Sequence, residues 1–320
     1  MVSRLFRLAS CALLLSATFG AHAQNFKMGM ATGPDSPQSV GAEKFVELMR
    51  QKTGGAIDGK VYLSGSLGGT TQLLQSMVLG TVHSTITVVL SSYVPKSGVF
   101  LLPFLFRDQA HFYRVTNDMQ LVNEILADAP SKGLRVLSVW DSGFRQIWVR
   151  EKQIKSMADL KGLKLRVPEA KIWVDTFKAF GVNATPMPYS EVFSAMQQGV
   201  IDGLENPIPN YYTNKLFEVG KIMVDVSYMA GPAFLIISER WWKSLTPAQQ
   251  KAALEAAQEA RDLERRLNSE AEGKQVKLMQ DKGLIVNKPD LAEFREASKQ
   301  VWKQYEAVYG KALIDRISSY

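Results

Sequence analysis

The sequence has 320 residues, of which 46% are hydrophobic and 22% are charged. This is the composition of an ordinary globular protein, with room for one large domain or two of about 150 residues. The formal charge of +7 is spread along the chain without the basic stripe and interleaved aromatic residues of a nucleic-acid-binding protein. The chain has one cysteine, Cys11, which excludes an intramolecular disulfide.

Residues 1–23 have the pattern of a secretory signal peptide. A short apolar run follows two arginines, and Ala21-His22-Ala23 matches the small-x-small cleavage pattern. The run is too short for a mature membrane-spanning helix, and an uncleaved N-terminal anchor is the alternative. A lipoprotein attachment site at Cys11 is disfavoured because most of the apolar segment follows it. Cleavage before Gln24 would remove this thiol and release the chain into the periplasm.

Strand-like and helix-like segments alternate along the rest of the chain, which is the pattern of an α/β protein. Alternating or β-branched apolar runs predict strands, and apolar residues at helical spacing that end at glycines predict helices. The predicted strands cover residues 26–30, 61–63, 85–90, 134–140, 144–149, 163–167, 222–226 and 234–237. The predicted helices cover residues 40–52, 72–79, 190–198, about 246–282, and 291–309.

The longest predicted helix begins at Thr246. Thr246 can cap the helix, Pro247 suits its first position, and Gln249 completes a capping box. Helical composition continues to about Lys282, before Gly283, which corresponds to ~54 Å at ~1.5 Å per residue. A helix of that length exceeds the width of one small domain, so we expect it to run along both halves of the molecule.

Enzyme signatures are scarce in this sequence. It has no HExxH or CxxC motif, no phosphate-binding P-loop, no GxGxxG after a strand and no GxSxG. No pair of carboxylates is spaced in a way that marks a general acid and base. His83 begins a predicted apolar strand and is interpreted as structural. We therefore expect no cofactor and no bound metal.

Three motifs stand out, at residues 102–106, 159–168 and 199–207. They read LPFLF, DLKGLKLRVP and GVIDGLENP. In their residues, order and spacing they resemble the extracytoplasmic solute-binding proteins of tripartite ATP-independent periplasmic (TRAP) transporters, of the DctP type. The resemblance extends over nearly all of the chain that follows the signal segment.

The resemblance implies a two-lobed α/β fold of the periplasmic-binding-protein kind, with hinge strands and a long lobe-spanning helix. Lobe I would comprise residues 24–142 with about 231–260. Lobe II would comprise residues 143–230 with part of 261–320, including the long helix. A small organic acid would bind between the lobes, and integral-membrane TRAP subunits would accept it and use an ion gradient instead of ATP. The protein is expected to be a periplasmic monomer.

The resemblance also assigns ligand-binding roles to four residues. Arg166 lies in the family's K-x-R-V-P strand and is implied to bind the ligand carboxylate, for which a guanidinium offers two parallel N–H donors. Asn206 of D-G-x-E-N-P can donate to the same carboxylate or to a hydroxyl. Arg145 matches a second arginine of the cleft, and Tyr189 matches an aromatic position in the pocket. From the strand alternation alone, Arg166 is equally well a surface residue.

Four further residues are candidates for ligand contact. Glu169 follows Arg166 and can accept hydrogen bonds from ligand hydroxyls, unless it is a solvated carboxylate at a helix start. Gln72 opens a predicted helix whose first turn either faces the cleft or lies on the surface. Trp148 and Trp173 are candidates to stack on a sugar or aromatic ring, although tryptophans more often lie in the core or at a rim.

Several residues depart from relatives of this family that bind large hydroxylated acids. Thr70 and Thr71 are neutral where such relatives place charged residues, and Val88 and Val89 are apolar where some sialic-acid-binding relatives carry an acid. His83 stands where many relatives have an aspartate. These differences favour a smaller or partly apolar monocarboxylate. Two other functions remain open: an exported enzyme acting on a sugar acid or similar carboxylate, and a binding subunit that serves a sensor.

Overall fold

A computed structural model describes residues 24–320, and the predicted signal segment lies outside the described residues. Strands and helices alternate as the α/β pattern predicts. The strands are β1 (Gln24–Gly29), β2 (Ile57–Tyr62), β3 (Ser84–Thr87), β4 (Leu134–Asp141), β5 (Arg145–Val149), β6 (Lys164–Val167), β7 (Asn183–Pro186), β8 (Gly203–Pro207), β9 (Ile222–Met229), β10 (Pro232–Ser238) and β11 (Ile285–Asn287). The α-helices are α1 (Pro37–Lys52), α2 (Thr70–Leu79), α3 (Gln109–Asn117), α4 (Met119–Ile125), α5 (Lys171–Ala179), α6 (Val192–Gln197), α7 (Ile208–Thr213), α8 (Glu239–Ser244), α9 (Pro247–Gln280), α10 (Ala292–Tyr309) and α11 (Lys311–Ser319).

One sheet of the described chain has the strand order β2-β1-β3-β10-β4. β1 pairs in parallel with β2 and β3, and β10 runs antiparallel between β3 and β4. β3 is shorter than predicted because it ends at Thr87, whose hydroxyl accepts a hydrogen bond from Val89 N–H at 3.0 Å. Just before β3, the His83 ring accepts a hydrogen bond from Lys27 N–H at 2.9 Å. This sheet and the helices packed on it form lobe I.

A second sheet within residues 24–320 has the order β11-β9-β5-β8-β6-β7. β5 runs antiparallel to both β8 and β9, and β6 lies in parallel between β8 and β7. The register pairs Arg145 with Pro207 and Arg166 with Leu204. Neighbouring strands therefore carry Arg145, Asn206 and Arg166, which are far apart in the sequence. This sheet and its helices form lobe II.

The chain crosses between the sheets at residues 142–144, from β4 to β5, and at residues 230–231, from β9 to β10. Ser142 donates two hydrogen bonds to the Gly231 carbonyl, from its N–H at 2.8 Å and from its hydroxyl at 2.9 Å. A Cβ atom at Gly231 would lie 2.1 Å from Ser142 Oγ. Only glycine allows the crossing segments to approach so closely, and together they form the hinge between the lobes.

Helix α9 is 34 residues long and confirms the predicted lobe-spanning helix. At its start, Gln249 N–H donates to Thr246 Oγ1 at 3.2 Å and Thr246 N–H donates to Gln249 Oε1 at 2.9 Å, which is the predicted capping box. Buried alanines of its first half, such as Ala256, pack in the lobe I core. Met279, near its end, belongs to the lobe II core. The helix therefore contacts both sheets.

The buried apolar residues of the described part of the chain fall into three clusters. One fills lobe I between the sheet, α1 and α9, and includes Phe45 and Trp140. A second lies in lobe II and includes Trp148 and Tyr211. The largest extends across both lobes, so apolar packing as well as the hinge joins them. Within residues 24–320, no helix has both the length and the apolar character that crossing a bilayer requires.

Candidate functional site

A cavity of about 70 Å³ lies between the two lobes. Lobe I lines it with Ala31, Thr32, Gln38, Thr70, Ile86, Val88 and Val89. Lobe II lines it with Arg145, Arg166, Pro168, Glu169, Tyr189, Asn206 and Asn210. The structure therefore brings together Arg145, Arg166, Glu169, Tyr189 and Asn206 of the predicted ligand-binding residues. No cluster of His, Cys, Asp and Glu side chains in residues 24–320 is arranged to hold a metal ion.

Arg166 lies on β6 between the buried residues Leu165 and Val167, and its own side chain is buried. Its Nε–H and one Nη2–H donate to the backbone carbonyl of Met187, at 2.9 and 2.7 Å. The guanidinium lies 5.5 Å from the centre of the Tyr189 ring. A guanidinium has five N–H donors, so the contacts to Met187 leave several donors for another acceptor.

The charge of Arg166 is poorly compensated. Burial lowers the pKa of Arg166 to about 10, the Glu205 carboxylate acts in the opposite direction, and the charge of Arg145 lowers this pKa further. The group stays protonated at neutral pH, yet the ion pairs formed within residues 24–320 do not include it. An anion entering the cavity would stabilise the charged form that burial disfavours. Arg166 is thus suited to bind a carboxylate.

Arg145 differs from Arg166 because it already has a carboxylate partner. Its Nη2 donates to Glu205 Oε1 at 2.6 Å, its Nε donates to Oε2, and the Tyr228 hydroxyl donates to Oε2 at 2.7 Å. Burial alone would lower the pKa of Arg145, but the charge of Glu205, with a smaller contribution from Tyr228, raises this pKa overall. The guanidinium also lies 5.6 Å from the Trp173 ring centre. The charge of Arg145 is therefore balanced within the protein.

Asn206, Tyr189 and Asn210 form a chain of hydrogen bonds along the cavity. Nδ2 of Asn206 donates to the Tyr189 hydroxyl at 2.8 Å, and this hydroxyl donates to the Asn210 carbonyl at 3.0 Å. Burial raises the pKa of Tyr189 to about 12, although the hydrogen bond from Asn206 lowers it in part. The tyrosine is therefore neutral near pH 7, and it fixes the carboxamide of Asn206, which retains an oxygen acceptor and a second N–H.

Glu169 reaches from lobe II towards lobe I. Its Oε2 accepts a hydrogen bond from the Thr71 hydroxyl at 3.3 Å, which joins the lobes at the edge of the cavity. Nearby, a Cβ atom at Gly69 would lie 3.6 Å from Pro188 Cβ, so the loop before α2 packs against lobe II. These contacts close the lobes around the cavity.

The structure does not bring the other three predicted residues into the cavity. Gln72 Oε1 accepts a hydrogen bond from Gly69 N–H at 2.9 Å, so its side chain caps the start of its own helix. The Trp148 ring stacks on Tyr211, with 3.7 Å between the ring centres. Trp173 is fully buried. The surrounding core covers both indole rings, which corrects the expectation that they stack on the ligand.

Sequence reasoning missed the cavity residues Gln38 and Asn210, and also Glu205, the partner of Arg145. Gln38 lies in the first turn of α1 and Asn210 in the short helix α7, and neither belongs to a recognisable motif. Glu205 stands beside Asn206, but its pairing with Arg145 depends on the antiparallel register of β5 and β8. That register becomes visible only once the two strands are aligned.

Known proteins resemble this chain over most of its length. The family described as "Bacterial extracellular solute-binding protein, family 7" (DctP) matches residues 28–308. The 2,3-diketo-L-gulonate-binding periplasmic protein YiaO of Escherichia coli (strain K12) is 31% identical, over 88% of this chain and 86% of its own. The C4-dicarboxylate-binding periplasmic protein DctP of Rhodobacter capsulatus is 31% identical, over 86% of this chain and 83% of its own.

Among solved structures, a TRAP periplasmic solute-binding protein from Polaromonas sp. JS666, bound to D-erythronate, superposes with a TM-score of 0.89. It is 32% identical, and the superposition covers 92% of this chain and 98% of the other. The family match spans most of the described residues, and these relatives cover most of the chain. The chain therefore belongs to the DctP family of bacterial extracellular solute-binding proteins, the solute-binding components of TRAP transporters.

Proposed function

We propose that this chain is a periplasmic receptor that captures a small organic carboxylate between its lobes, with Arg166 as the anchor. The observation that carries the proposal is the contrast between two buried arginines. Arg145 is neutralised by Glu205, whereas Arg166 forms no ion pair within the described chain. Because Arg166 sits on a strand and is held by Met187, it loses little freedom when it binds a carboxylate.

The relatives support a carboxylate ligand. Their names and bound ligands specify 2,3-diketo-L-gulonate, C4-dicarboxylates and D-erythronate, which are all organic acids. Binding proteins of this family are non-catalytic transport components, so the alternative of an exported enzyme is set aside. Asn206 and Tyr189 would orient the ligand from lobe II, and Gln38 and Thr70 would contact it from lobe I. Ligand binding would favour the closed arrangement, since only closed lobes reach it from both sides.

Substitution of Arg166 tests the anchor. Removing one partner of a desolvated charge pair costs ~2–5 kcal/mol, so Arg166→Ala should weaken carboxylate binding ~30-fold to a few thousand-fold. Arg166→Lys should recover only part of the loss, because an ammonium lacks the paired donors of a guanidinium. Affinities are measured by calorimetry on protein refolded from denaturant, which removes co-purified ligand. The exposed Arg50→Ala is the control; unchanged affinity in folded Arg166→Ala would contradict the proposal.

Export and delivery form the second part of the proposal. Residues 1–23 would act as a cleaved signal peptide, and relatives are named periplasmic. Mass spectrometry of the exported protein should find Gln24 at the N-terminus, and retention of Met1 would contradict cleavage. Family membership supports delivery to integral-membrane TRAP subunits. Vesicles containing those subunits should take up the acid only when this protein and an ion gradient are both present.

A further inference from the structure

The charged side chains that line the cavity come from one lobe. Arg145, Arg166 and Glu169 belong to lobe II, whereas each residue that lobe I contributes is neutral. A ligand held by its carboxylate at Arg166 therefore turns its other end towards a wall that carries no cation. A buried charge at that end would have no partner in lobe I.

The charged residues of lobe II that line the cavity can balance the charge of only one ligand carboxylate. Glu205 neutralises Arg145 through a two-point ion pair. Of the two arginines, only Arg166 therefore requires a ligand carboxylate as its counter-charge. Glu169 adds a carboxylate at the cavity edge, close enough to act on the charge of Arg166. A second ligand carboxylate would meet Glu169 without a cation to offset it, and like charges at short range repel.

The lobe I wall is suited to aliphatic carbon. Ile86 and Val89 are buried and Val88 is partly buried, and all three border the cavity. Beside them, Gln38 and Thr70 offer an amide and a hydroxyl, which can bond to a neutral oxygen. Each ligand methylene buried on this wall should strengthen binding about fourfold. The cavity is small, at about 70 Å³, which favours a short acid.

We infer that the preferred ligand is a short monocarboxylate with a hydroxyl or keto oxygen near the carboxylate and an aliphatic end, and that dicarboxylates are rejected. The inference rests on the proposed function, because it takes Arg166 as the carboxylate anchor. In this respect the chain differs from the relative named for binding C4-dicarboxylates. Val88 is the residue of the lobe I wall that would decide between the two classes.

A matched pair of ligands tests whether the cavity rejects a second carboxylate. Malate and 2-hydroxybutyrate of the same configuration differ only in a terminal carboxylate against a methyl group. Calorimetry on refolded wild-type protein should give at least about 100-fold tighter binding of 2-hydroxybutyrate, because malate would bury an unpaired charge. Equal or tighter binding of malate would overturn the inference and leave the proposed function standing.

Two further acids, D-erythronate and galacturonate, show whether a failure concerns the ligand preference or the proposed function. If D-erythronate binds and 2-hydroxybutyrate does not, the aliphatic end is wrong although the carboxylate receptor stands. If malate, 2-hydroxybutyrate, D-erythronate and galacturonate all fail to bind folded protein, the proposed function itself is overturned. These results therefore distinguish a wrong ligand preference from a wrong proposed function.

Val88→Lys supplies the missing cation. The variant should bind malate at least tenfold more tightly than the wild type and should bind 2-hydroxybutyrate more weakly. Val308→Lys is the control, because Val308 is exposed on α10, and it should leave both affinities unchanged. A folded Val88→Lys variant with the wild-type order of affinities would overturn the role of this wall. If thermal melting finds the variant unfolded, the ligand pair on the wild-type protein decides.

Discussion

Arg145 and Glu205 form a buried two-point ion pair, in which Nη2 donates to Oε1 at 2.6 Å and Nε donates to Oε2. The Tyr228 hydroxyl donates to the same carboxylate at 2.7 Å. This pair gives two neighbouring arginines different properties, since Arg145 is internally balanced and Arg166 forms no ion pair within the described chain. Both guanidiniums border the same cavity, so the position of the Glu205 carboxylate is the reason that we propose Arg166, and not Arg145, as the anchor.

Removal of the Glu205 charge should destabilise the fold. Glu205→Gln leaves the Arg145 guanidinium buried without a counter-charge, which typically costs about 3–5 kcal/mol. Tyr228→Phe removes only one hydrogen bond to the carboxylate and should cost about 1.5–3 kcal/mol. Unfolding in guanidinium chloride measures both free energies. If Glu205→Gln lowers the free energy of unfolding by less than Tyr228→Phe does, the ion pair is not the main stabilising contact of this carboxylate.

Trp148→Phe should separate stability from ligand binding. The indole stacks on Tyr211 and donates to the Asn206 carbonyl at 2.8 Å, so the variant should lose about 1–3 kcal/mol of unfolding free energy. The affinity for the ligand should change by less than a factor of ten, because the ring does not line the cavity. A large loss of affinity at unchanged stability would instead indicate direct contact between the indole and the ligand.

The hinge should tolerate no side chain at Gly231. A Cβ atom there would lie 2.1 Å from Ser142 Oγ and 2.6 Å from the Gly143 carbonyl oxygen, so Gly231→Ala should lower the unfolding free energy by about 1–3 kcal/mol. Gly273→Ala is the matched control, because a Cβ atom at Gly273 has no neighbour within 4 Å. Gly273 lies within α9, so this control should gain about 0.5–1 kcal/mol. Equal effects of the two substitutions would argue against close packing at the hinge.

The Glu272 carboxyl should contribute a loss of stability as the pH rises from about 5 to 8. Burial and the charge of Asp141 raise the pKa of Glu272 to about 7 from its usual 4.5, so the folded protein holds a proton that the unfolded chain releases. The stabilisation is complete below pH 4.5 and is lost as the pH passes 7, by at most about 3 kcal/mol. Burial raises the pKa of Glu264 as well, which acts in the same direction. Burial lowers the pKa of His83 and of His111, and these two groups act in the opposite direction.

Urea unfolding at several pH values checks this slope. Glu272→Gln should reduce the slope, and Glu270→Gln, at an exposed position of the same helix, should leave it unchanged. A slope that Glu272→Gln leaves intact would show that other groups control the pH dependence.

Thr71→Val should weaken the contact between the lobes. The Thr71 hydroxyl donates to Glu169 Oε2 across the cavity edge, and valine keeps the shape of the side chain without this donor. The lost bond corresponds to about 0.5–1.5 kcal/mol, so ligand affinity should fall about two- to tenfold, mainly through faster release. Surface plasmon resonance with an immobilised receptor measures the release rate, and an unchanged rate would rule out a role for this bond in closure.

Local signals in the sequence predicted the elements whose determinants are close together in the chain. The capping box of Thr246 and Gln249 marks the start of α9 because both partners lie within one turn. Gly80 and Gly199 end helices as predicted, and both have positive φ values, of 82° and 73°, that glycine adopts at little cost. Helix α5, which Ala170 precedes without a capping side chain, was not predicted. Helices α3 and α4 were not predicted either, although Asp108 and Asp118 cap them.

Features that depend on contacts between distant parts of the chain could not be predicted from local sequence signals. The resemblance predicted ligand-binding roles for Arg166, Arg145 and Asn206, but the alternation of a strand does not reveal which arginine has an internal partner. That distinction requires the register that brings Glu205 beside Arg145. The burial of Trp148 likewise depends on α7, which is distant in the sequence and carries the stacking partner.

Helix α9 also provides an internal reference for measuring closure. The alanine face of its first half fits closely against lobe I, whereas its second half packs at the hinge, where a Cβ atom at Gly143 would lie 2.6 Å from Glu272 Oε1. A spectroscopic label near the start of α9 should therefore keep a constant distance to labels on α1. Its distance to a label on β7 should shorten when ligand is added, so one labelled position can serve both as the fixed standard and as the reporter of lobe movement.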